Sequence, residues 1–516
     1  MTPFGPYSLL RKIATGGTAE IFLARRHGVD GFARHLAIKR ILPHLESEPA
    51  FIQLLLDEAR IAAHLHHGHI IPIHEVGVED GQAYIAMEYL PGTDLGRLMR
   101  AGRRRKRRVL LLTADAAWRE SLAEALAARL QAEVVPAADR AQAFARSSEG
   151  PLDLAVIDTR QLGPTRDPLL HELQAAHPEM LRTVLLGHGP GRKAGCYAVA
   201  TELVDPTLVA AVAQQCLRMR MPLELSVQIV RAVAEALDYA HQATDFTGHP
   251  LHVVHRDVNP SNILVSLGGV VKLVDFGIAK ATIRVRDEGR GNFVGTVNYM
   301  SPEQTTGQDA DPRSDQFALG TVFYELAAGR HPFAGENEFQ TMRNIQARQL
   351  PSLSELVPGI PEELSALTAR AMQKVVGARY DETAEMASAI EELARREGLN
   401  LSPRRLARYL EVVYTDAERA SLGLSGTGYP PAGARASQPS LDALALPPRT
   451  PVPPALAPSS RQGGRGPRRA IEIDVDLDDS EEMDALETLS GDDIDHGHDE
   501  STNPDTSDDL TPRRRS

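Results

Sequence analysis

The chain has 516 residues, long enough for about two to four domains, and its 42% apolar and 24% charged residues are typical of globular proteins. No window approaches the roughly 18 consecutive apolar residues of a membrane span, and the N-terminal stretch lacks the pattern of a secretory signal, so a cytoplasmic protein is expected. Residues 472–509 carry 17 Asp or Glu and no Lys or Arg, so the net charge of −13 belongs to this segment.

Cysteine is rare in the chain. Only Cys196 and Cys216 are present, too few for a disulfide framework, which indicates a reducing compartment. Neither has His or Cys partners at metal-binding spacing, and both are interpreted as packed small hydrophobic residues.

The first 90 residues predict a small, mostly antiparallel sheet with a single helix. The segments IFLAR and LAIKRIL predict strands, and FIQLLLDEARIAAHL has apolar residues at helical spacing. IIPIHEVGVED and GQAYIAMEYL then predict a hairpin with Asp80 and Gly81 at its turn.

The sequence MEYLPGTDLGRLMR predicts a strand and a short helix with an apolar face of Leu95, Leu98 and Met99. Six basic residues, 103–108, interrupt this pattern. We interpret them as a solvated hinge that keeps the next domain off its host and could also hold the acidic tail. Binding of nucleic acid or acidic lipid is the alternative, and the lack of interleaved aromatic residues disfavours single-stranded nucleic acid.

The next segment alternates strands with helices and predicts a doubly wound parallel sheet. Its five predicted strands are VLLLT, AEVVP, LDLAVID, RTVLLG and TELVD.

After Met221, residues 222–241 predict an amphipathic helix with Pro222 suited to its first turn. Two short strand pairs, VVHRD with ILVSLGG and VVKLVDFG, are predicted next, and then mostly helix to about residue 420. Beyond that point Pro, Ala, Ser and Gly dominate without apolar periodicity, which predicts disorder.

The segment HRDVNPSNILVSLGGVVKLVDFG, residues 255–277, combines an Asp, an Asn five residues later, and an Asp-Phe-Gly after a hairpin. Phosphoryl transfer requires acidic and amide ligands for Mg²⁺ and one carboxylate beside the nucleophile. Any one of these residues could simply cap a turn, but the ordered set favours catalysis. The segment resembles the catalytic loop and metal-binding turn of bacterial-type (Hanks-type) serine/threonine protein kinases.

The resemblance implies roles in both halves of the chain. Asp257 would orient the substrate hydroxyl and accept its proton, while Asn262 and Asp275 would hold Mg²⁺ against the phosphates of ATP. Lys39 would grip the α and β phosphates and pair with Glu58, and His255 would be a packing and hydrogen-bonding residue. The other positions implied to contact ATP are Ile13, Gly16, Gly17, Ile21, Ala37, Met87, Glu88, Leu90 and Leu264.

The segment GTVNYMSPE, residues 295–303, resembles the substrate-binding end of a kinase activation segment. By this resemblance Thr296 would face the catalytic Asp, Glu303 would pair with Arg379, and Asp315 would steady the catalytic loop.

Arg256 implies an activation segment that is ordered by a negative charge. Thr282 would supply this charge when phosphorylated, whereas Asp287 or Glu288 would supply it permanently. Both alternatives are kept.

Four positions depart from the kinase pattern. Ala14 and Ala19 replace the outer two glycines of the phosphate loop. Asn259 stands where kinases specific for Ser or Thr usually carry Lys, and Ser261 where those specific for Tyr often carry Arg. Transition-state charge would then rely more on Mg²⁺ and Lys39.

The kinase pattern is continuous only if residues 103–220 are removed, so we infer an inserted domain. The insert resembles a response-regulator receiver with Asp158 at the place of the phosphoacceptor. Because the ligands for Mg²⁺ and the lysine are replaced, we interpret it as a degenerate receiver used for docking or dimerisation. The positions that depart from an active receiver are Thr113, Ala114, Asp115, Gly187 and Asp205.

We therefore expect an α+β two-lobed protein kinase fold, interrupted by a doubly wound, flavodoxin-like insert and followed by a disordered tail. The expected function is phosphorylation of protein Ser or Thr in bacterial signalling with ATP and Mg²⁺, and the alternative is an ATP-binding pseudokinase scaffold. The expected domains are the smaller lobe, hinge and first helix of the larger lobe (7–102), the insert (103–220), the larger lobe (221–395), an appended helical segment (396–422) and the tail (423–516).

The expected partners are protein substrates and signalling proteins bound through the insert and tail, with a dimer left open and nucleic acid not expected. The acidic tail is either phosphorylated in cis, recruits partners, or only solubilises the chain. Its candidate phosphorylation sites are Ser480, Ser490, Thr506 and Thr511.

Overall fold

The structure is a computed structural model. It has two lobes joined by a hinge, and the chain segment between the two lobes forms a separate parallel sheet. The residues that it describes are 1–16, 19–27, 33–42, 49–158, 166–177, 182–186, 196–198, 206, 209–210, 213–214, 217, 221–245, 247–276, 297–357 and 359–421. Within them, no helix combines the length and apolar character that crossing a bilayer requires.

The first lobe is a six-stranded antiparallel sheet in the order β1-β2-β3-β4-β6-β5. Lys39 lies on its fourth strand, paired with Ile21 on one side and Ile85 on the other. The strands are β1 Thr2–Phe4, β2 Tyr7–Thr15, β3 Ala19–His27, β4 Ala33–Ile41, β5 Ile73–Glu79 and β6 Gln82–Glu88.

The predicted helix and hairpin of this lobe are confirmed. Helix α1 covers Pro49–Ala62, and β5 and β6 pair through a tight turn. Asp80 and Gly81 have φ of 50° and 81° at that turn, a left-handed backbone that Asp and Gly tolerate best.

A small three-stranded sheet connects the lobes. Strand β7 (Gly92–Asp94) pairs with β13 (Ile263–Ser266), which pairs with β14 (Val271–Leu273). The prediction of a further strand at VVHRD is wrong, because the amides of His255 and Arg256 bond to a side chain instead of a neighbouring strand.

Helix α2 (Leu95–Arg104) begins directly after β7, where the side chain of Asp94 accepts the N–H of Arg97 at 2.8 Å. Its apolar face is buried as predicted, with Leu95, Leu98 and Met99 in the core of the second lobe.

The segment after α2 forms a separate five-stranded sheet. All neighbouring strands are parallel, in the order β12-β11-β10-β8-β9. Numbered within the segment this is 2-1-3-4-5, an order that doubly wound sheets use. The strands are β8 Arg108–Leu112, β9 Glu133–Ala137, β10 Leu154–Asp158, β11 Arg182–Leu186 and β12 Cys196–Ala198.

Helices pack on both faces of this sheet, because successive strand residues point to opposite sides. The helices described in full are α3 Ala116–Leu130, α4 Arg140–Ser147 and α5 Arg166–Ala176. One core contains Val109, Leu111, Leu122, Leu126 and Leu217. The other contains Leu110, Leu112, Ala143, Leu169 and Leu173.

One strand of this sheet, Cys196–Ala198, was not predicted from the sequence. Cys196–Ala198 pairs with β11, whereas the predicted strand TELVD, residues 201–205, lies outside the described residues, as does Cys216.

The basic run is solvated only in part, because Arg103, Arg104 and Lys106 are exposed whereas Arg105 and Arg108 are largely covered. Arg105 forms an ion pair with Asp153, whose other oxygen accepts the N–H of Arg108 at 2.8 Å. The side chains of Arg105 and Arg108 are only 15% and 13% exposed. Arg103 donates to Glu325 of the second lobe at 3.2 Å. Arg105, the C-cap of α2, therefore links the end of this host helix to the insert.

The second lobe is built around helix α6, Leu223–His241, which begins after Pro222 and is buried on most of its surface. Pro222 stands at the N-cap, just before the predicted first turn. The remaining helices confirm the prediction of mostly helix to about residue 420. They are α7 Pro302–Thr305, α8 Pro312–Ala328, α9 Glu338–Ala347, α10 Leu353–Leu356, α11 Glu362–Ala371, α12 Thr383–Arg396, α13 Pro403–Val413 and α14 Asp416–Ser421.

Helix α13 is part of the second lobe's core. Leu406, Tyr409 and Leu410 are buried in the same cluster as Leu98, and the hydroxyls of Tyr414 and Thr93 lie 3.3 Å apart. The turn between β13 and β14 touches the start of α13 through Gly269. A Cβ there would lie 1.8 Å from the carbonyl oxygen of Pro403.

We expect Gly269→Ala to destabilise the protein more than Gly248→Ala. Both glycines have a left-handed backbone, with φ of 77° and 87°, so both changes cost about 1 kcal/mol of strain. Only at Gly269 does the new methyl group meet backbone, which adds roughly 1–3 kcal/mol. Urea denaturation followed by circular dichroism measures both variants, and equal midpoints would contradict the contact.

Candidate active site

The catalytic loop is held together by two amide side chains. Asn262 donates from Nδ2 to the carboxylate of Asp257 at 2.8 Å and to its carbonyl at 2.9 Å. Asn259 donates to the same carbonyl at 3.0 Å. Asp257 is 8% exposed, so its carboxylate is oriented inside a buried network.

Asn259 also turns the loop. Its Oδ1 accepts the N–H of Ser261 at 2.9 Å and the hydroxyl of the same residue. The sequence identified Asn259 only as a missing lysine, because a local side-chain turn of this kind has no motif of its own. The side-chain amide of Asn259 therefore bonds within the loop, and it carries no charge.

Lys39 from the first lobe meets Asp275 from the second. Its Nζ donates to Oδ1 at 2.8 Å across a sequence separation of 236 residues. Asp275 has φ of 59° and a carboxylate that is 34% exposed. The left-handed backbone turns this carboxylate toward the lysine and toward solvent at the mouth of the site.

Asp315 anchors the catalytic loop from the start of α8. Its two carboxylate oxygens accept the backbone N–H groups of His255 and Arg256 at 2.8 and 2.7 Å. The ring of His241 on α6 lies 2.9 Å from the same carboxylate. The expectation that Asp315 steadies this loop is supported by these contacts.

His255 packs and bonds inside the core. Its Nε2 donates to the carbonyl of Val274 at 3.0 Å, its Nδ1 accepts the N–H of Asp257, and its ring contacts Phe276 at 4.6 Å. Burial lowers the pKa of His255 against the opposing influence of Asp315 and Asp257. The neutral ring therefore connects the catalytic loop to the strand end that carries Asp275.

The residues implied to surround adenine share one apolar cluster. Ala37, Met87 and Leu90 are buried in it, and Ile21 and Leu264 pack against it. Ile13 lies half-buried on β2, and Gly16 forms the neighbouring turn through a bond from its N–H to Ala19. The cluster therefore has one apolar wall from each lobe, a typical lining of a ligand cleft.

The hinge strand is tied to the second lobe. The carboxylate of Glu88 accepts Nζ of Lys272 on β14 at 2.8 Å, and its backbone N–H donates to Pro72 at 3.0 Å. Any bond from the backbone of Glu88 to a base therefore has to come from its carbonyl oxygen. No sequence motif marks the pairing of Glu88 with Lys272.

Glu303 and Arg379 form the predicted ion pair in a buried, bidentate geometry. Both oxygens of Glu303 lie 2.7 Å from the guanidinium, and Ser314 donates to Oε1 at 2.6 Å. Burial opposes ionisation of Glu303, but the bonds from Arg379 and Ser314 outweigh it and lower its pKa to about 2.

Arg256 is fixed through its backbone. Its φ is 63°, and its carbonyl accepts Nε2 of Gln304 at 3.0 Å. Its Nε is buried, and among the described residues no acceptor bonds to it. The proposed partners of Arg256, which are Thr282, Asp287 and Glu288, lie outside the described residues, as do Gly17 and Thr296.

Glu58 lies on α1, but its side chain is outside what the structure describes. The pairing of Lys39 with Glu58 therefore stays a prediction.

The donors implied for Mg²⁺ fit that ion chemically. Asp275 offers carboxylate oxygen and Asn262 offers amide oxygen, because the Nδ2 of Asn262 points to Asp257. Magnesium prefers such hard oxygen ligands. Asp275 and Asn262 would hold it beside the phosphates.

The candidate phosphoacceptor of the insert is enclosed. Asp158 ends β10, is 2% exposed, and accepts the hydroxyl of Thr113 at 3.2 Å. Asp115 is used as the N-cap of α3, where it accepts the N–H of Trp118 at 3.0 Å. Gly187 and Asp205 lie outside the described residues.

A family model described as the protein kinase domain matches residues 187–390. This range contains the catalytic loop, Asp275, Glu303 and Arg379. Over these residues the chain is therefore similar to protein kinase domains.

Several curated bacterial kinases are similar to this chain. Tyrosine-protein kinase MasK of Myxococcus xanthus is 31% identical, over 76% of this chain and 43% of its own length. Serine/threonine-protein kinase PknE of Mycobacterium tuberculosis is 27% identical, over 75% of this chain and 46% of its own length. Serine/threonine-protein kinase PknL of Mycobacterium tuberculosis is 31% identical, over 48% of this chain and 60% of its own length. The chain spans about half the length of the curated relatives that it matches.

We expect the ion pair of Glu303 to make the stability of the second lobe sensitive to acid. A carboxylate whose pKa is lowered from 4.5 to about 2 stabilises the fold above pH 4.5 and loses this contribution as the pH falls toward 2. The free energy of unfolding of the wild type should therefore exceed that of Glu303→Gln by roughly 3 kcal/mol at neutral pH. This difference between the two proteins should disappear as the pH falls toward 2.

Urea denaturation at several pH values measures this gap. The matched control is Glu392→Gln, which removes an exposed carboxylate paired with Arg395 on α12 and should change stability little at any pH. A gap for Glu303→Gln that is the same at pH 3 and pH 7 would be inconsistent with the buried pair.

Proposed function

We propose that the protein is a kinase that transfers the γ-phosphoryl group of ATP to Ser or Thr hydroxyls of proteins. The observation that carries this proposal is the convergence of Lys39 with Asp275 and of Asp257 with Asn262 beside one apolar cleft. Phosphoryl transfer needs this combination of a cation for phosphates, oxygen ligands for a metal, and a carboxylate for the nucleophile.

Asp257 would receive the substrate hydroxyl. Its carboxylate is held by Asn262, so it cannot rotate away from an incoming nucleophile, and it would accept the hydroxyl proton as the oxygen attacks. The loop amides fixed by Asp315 keep Asp257 at this position.

Lys39 would bind the phosphates of ATP and orient them toward Asp257. The ion pair with Asp275 holds the ammonium group at the mouth of the cleft. Mg²⁺, when bound by Asp275 and Asn262, supplies neutralisation of charge on the transferred phosphoryl group.

The proposed specificity for Ser or Thr rests on family resemblance. PknE and PknL are named serine/threonine kinases, whereas MasK is named a tyrosine kinase. Neither Asn259 nor Ser261 adds a cation to the loop, so the residues that usually mark the two specificities are both missing here. Phosphoamino-acid analysis of the product distinguishes the two.

A pseudokinase scaffold is the second candidate. The observation that favours it is the use of Asn259 as an internal turn in place of a cation near the transferred phosphate. Retention of Lys39, Asp257, Asn262 and Asp275 supports the enzyme instead.

We expect purified protein with radiolabelled ATP and Mg²⁺ to phosphorylate itself or a peptide from a library of Ser- and Thr-centred peptides. Asp257→Ala should reduce transfer by at least about a hundredfold while ATP still binds, because the base acts only in the chemical step. Lys39→Met should lose transfer and weaken ATP binding, because Lys39 contacts the nucleotide.

Lys106→Met provides the matched control, since it removes an exposed lysine away from the cleft. If the wild type binds ATP but transfers no phosphate, the result would favour the pseudokinase scaffold. Transfer that survives Asp257→Ala would refute the assigned base.

We propose that the insert is a degenerate receiver that serves docking or dimerisation. Support comes from its strand order, from the enclosure of Asp158 beside Thr113, and from the use of Asp115 as a helix cap. A phosphoryl group on Asp158 would meet no acidic pair to bind Mg²⁺ at Thr113 and Ala114.

Acetyl phosphate with Mg²⁺ should therefore leave no acid-labile phosphate on Asp158, as measured by intact mass and by acid treatment. Asp158→Asn is the control for background labelling. A stoichiometric adduct that is absent from Asp158→Asn would show an active phosphoacceptor.

A further inference from the structure

Glu325 lies where three parts of the chain meet. It sits on α8, is 8% exposed, and uses its two oxygens differently. Oε1 accepts Arg103 at 3.2 Å, and Oε2 accepts the hydroxyl of Tyr299 at 2.5 Å. Arg103 comes from the junction with the insert, and Tyr299 from the segment GTVNYMSPE.

Tyr299 is enclosed at this contact. Burial and the neighbouring carboxylate of Glu325 raise the pKa of Tyr299, so its hydroxyl keeps its proton and donates. The ring of His331 meets it edge-on at 4.9 Å. Tyr299 ends a single 3₁₀ turn, Val297–Tyr299, and is followed by buried Met300. A shift of the Tyr299 hydroxyl would therefore move this turn.

Arg103 is held on the other side of Glu325. It belongs to the last turn of α2 and also donates to the carbonyl of Gly329 at 3.3 Å, the C-cap of α8. A cation at a helix C-terminus is favourable, so this contact adds to the ion pair. The side chain of Arg103 is 39% exposed, so it can move away from Glu325 into solvent.

The insert is fastened two residues further on. Arg105 pairs with Asp153, which precedes β10 and also accepts the N–H of Arg108. The backbone N–H of Asp153 donates to the carbonyl of Arg108 at 2.9 Å. A displacement of the insert sheet therefore pulls on the chain immediately beside Arg103.

We propose that Arg103 is a positioning residue for the substrate-binding end of the activation segment, and that the insert controls it through the contacts Arg105–Asp153, Arg103–Glu325 and Glu325–Tyr299. Docking of a partner on the insert would then change how protein substrates bind. The effect on substrates rests on the proposed kinase function, whereas the mechanical coupling does not.

Hydrogen–deuterium exchange of the full chain tests the coupling independently of catalysis. In Arg103→Ala the backbone amides of residues 297–300 should exchange about threefold faster or more. Arg103→Lys, which keeps a donor and a charge, should restore part of the protection. Lys106→Ala, an exposed cation of the same basic run, should leave exchange unchanged.

Asp153→Asn tests the contribution of the insert, because this change lies on the insert side of the junction and should also speed exchange at residues 297–300. Unchanged exchange in Arg103→Ala would overturn the positioning role. A response to Arg103→Ala but not to Asp153→Asn would overturn control by the insert. Faster exchange throughout the second lobe would show only a general loss of stability and would also overturn the proposal.

Steady-state kinetics on a peptide selected with the wild type adds the functional readout. Arg103→Ala should raise KM for the peptide by roughly threefold to tenfold with little change in KM for ATP. A change in KM for ATP alone would contradict action at the substrate-binding end. If the wild type transfers no phosphate but Arg103→Ala and Asp153→Asn still exchange faster at residues 297–300, the kinase proposal is refuted and the coupling is supported.

Discussion

The carboxylate of Asp315 is the interaction on which the site depends. It is 1% exposed and accepts two consecutive backbone N–H groups of the catalytic loop, one of which belongs to Arg256 with its left-handed backbone. A non-glycine residue adopts that backbone only at a cost of about 1–3 kcal/mol, which surrounding contacts must offset. Because His241 on α6 bonds the same carboxylate, the position of the loop is set by the packing of α6 against α8. The residues proposed to be catalytic therefore lie on a loop whose position is set by the central core of the lobe.

The insertion leaves this core intact. Met99 in the middle of α2 and Met221 just before α6 lie in the same hydrophobic cluster, so the host chain leaves its core after Met99 and returns to it at Met221. Among the described residues, the inserted sheet has two hydrophobic cores of its own. At the junction, Arg105 pairs with Asp153 of the insert, and the carboxylate of Asp153 is buried. Breaking this pair without a replacement partner is costly, because it leaves a buried charge unpaired.

Sequence reasoning predicted the features that depend on ordered motifs and periodicity. The hairpin at Asp80 and Gly81 and the buried face of α2 follow from residue types at fixed spacing. The pair of Glu303 with Arg379 was implied by the resemblance to protein kinases. It was wrong where tertiary contacts decide. A run of arginines has the same composition whether it is solvated or paired, and only the fold brings Asp153 and Glu325 to it. Likewise VVHRD has the composition of a strand, but the carboxylate of Asp315 takes the backbone amides that a strand would need.

Helix α13 closes over the strand that follows the nucleotide hinge. Its Leu406, Tyr409 and Leu410 share a core with α2, and Gly269 lets the β13–β14 turn lie against its first residue. The family pattern ends at residue 390, yet the apolar interior continues through Tyr414. The true edge of the folding unit is thus set by burial and not by the recognisable motif. A fragment that ends at residue 390 would expose apolar surface of α2 and would be prone to self-association.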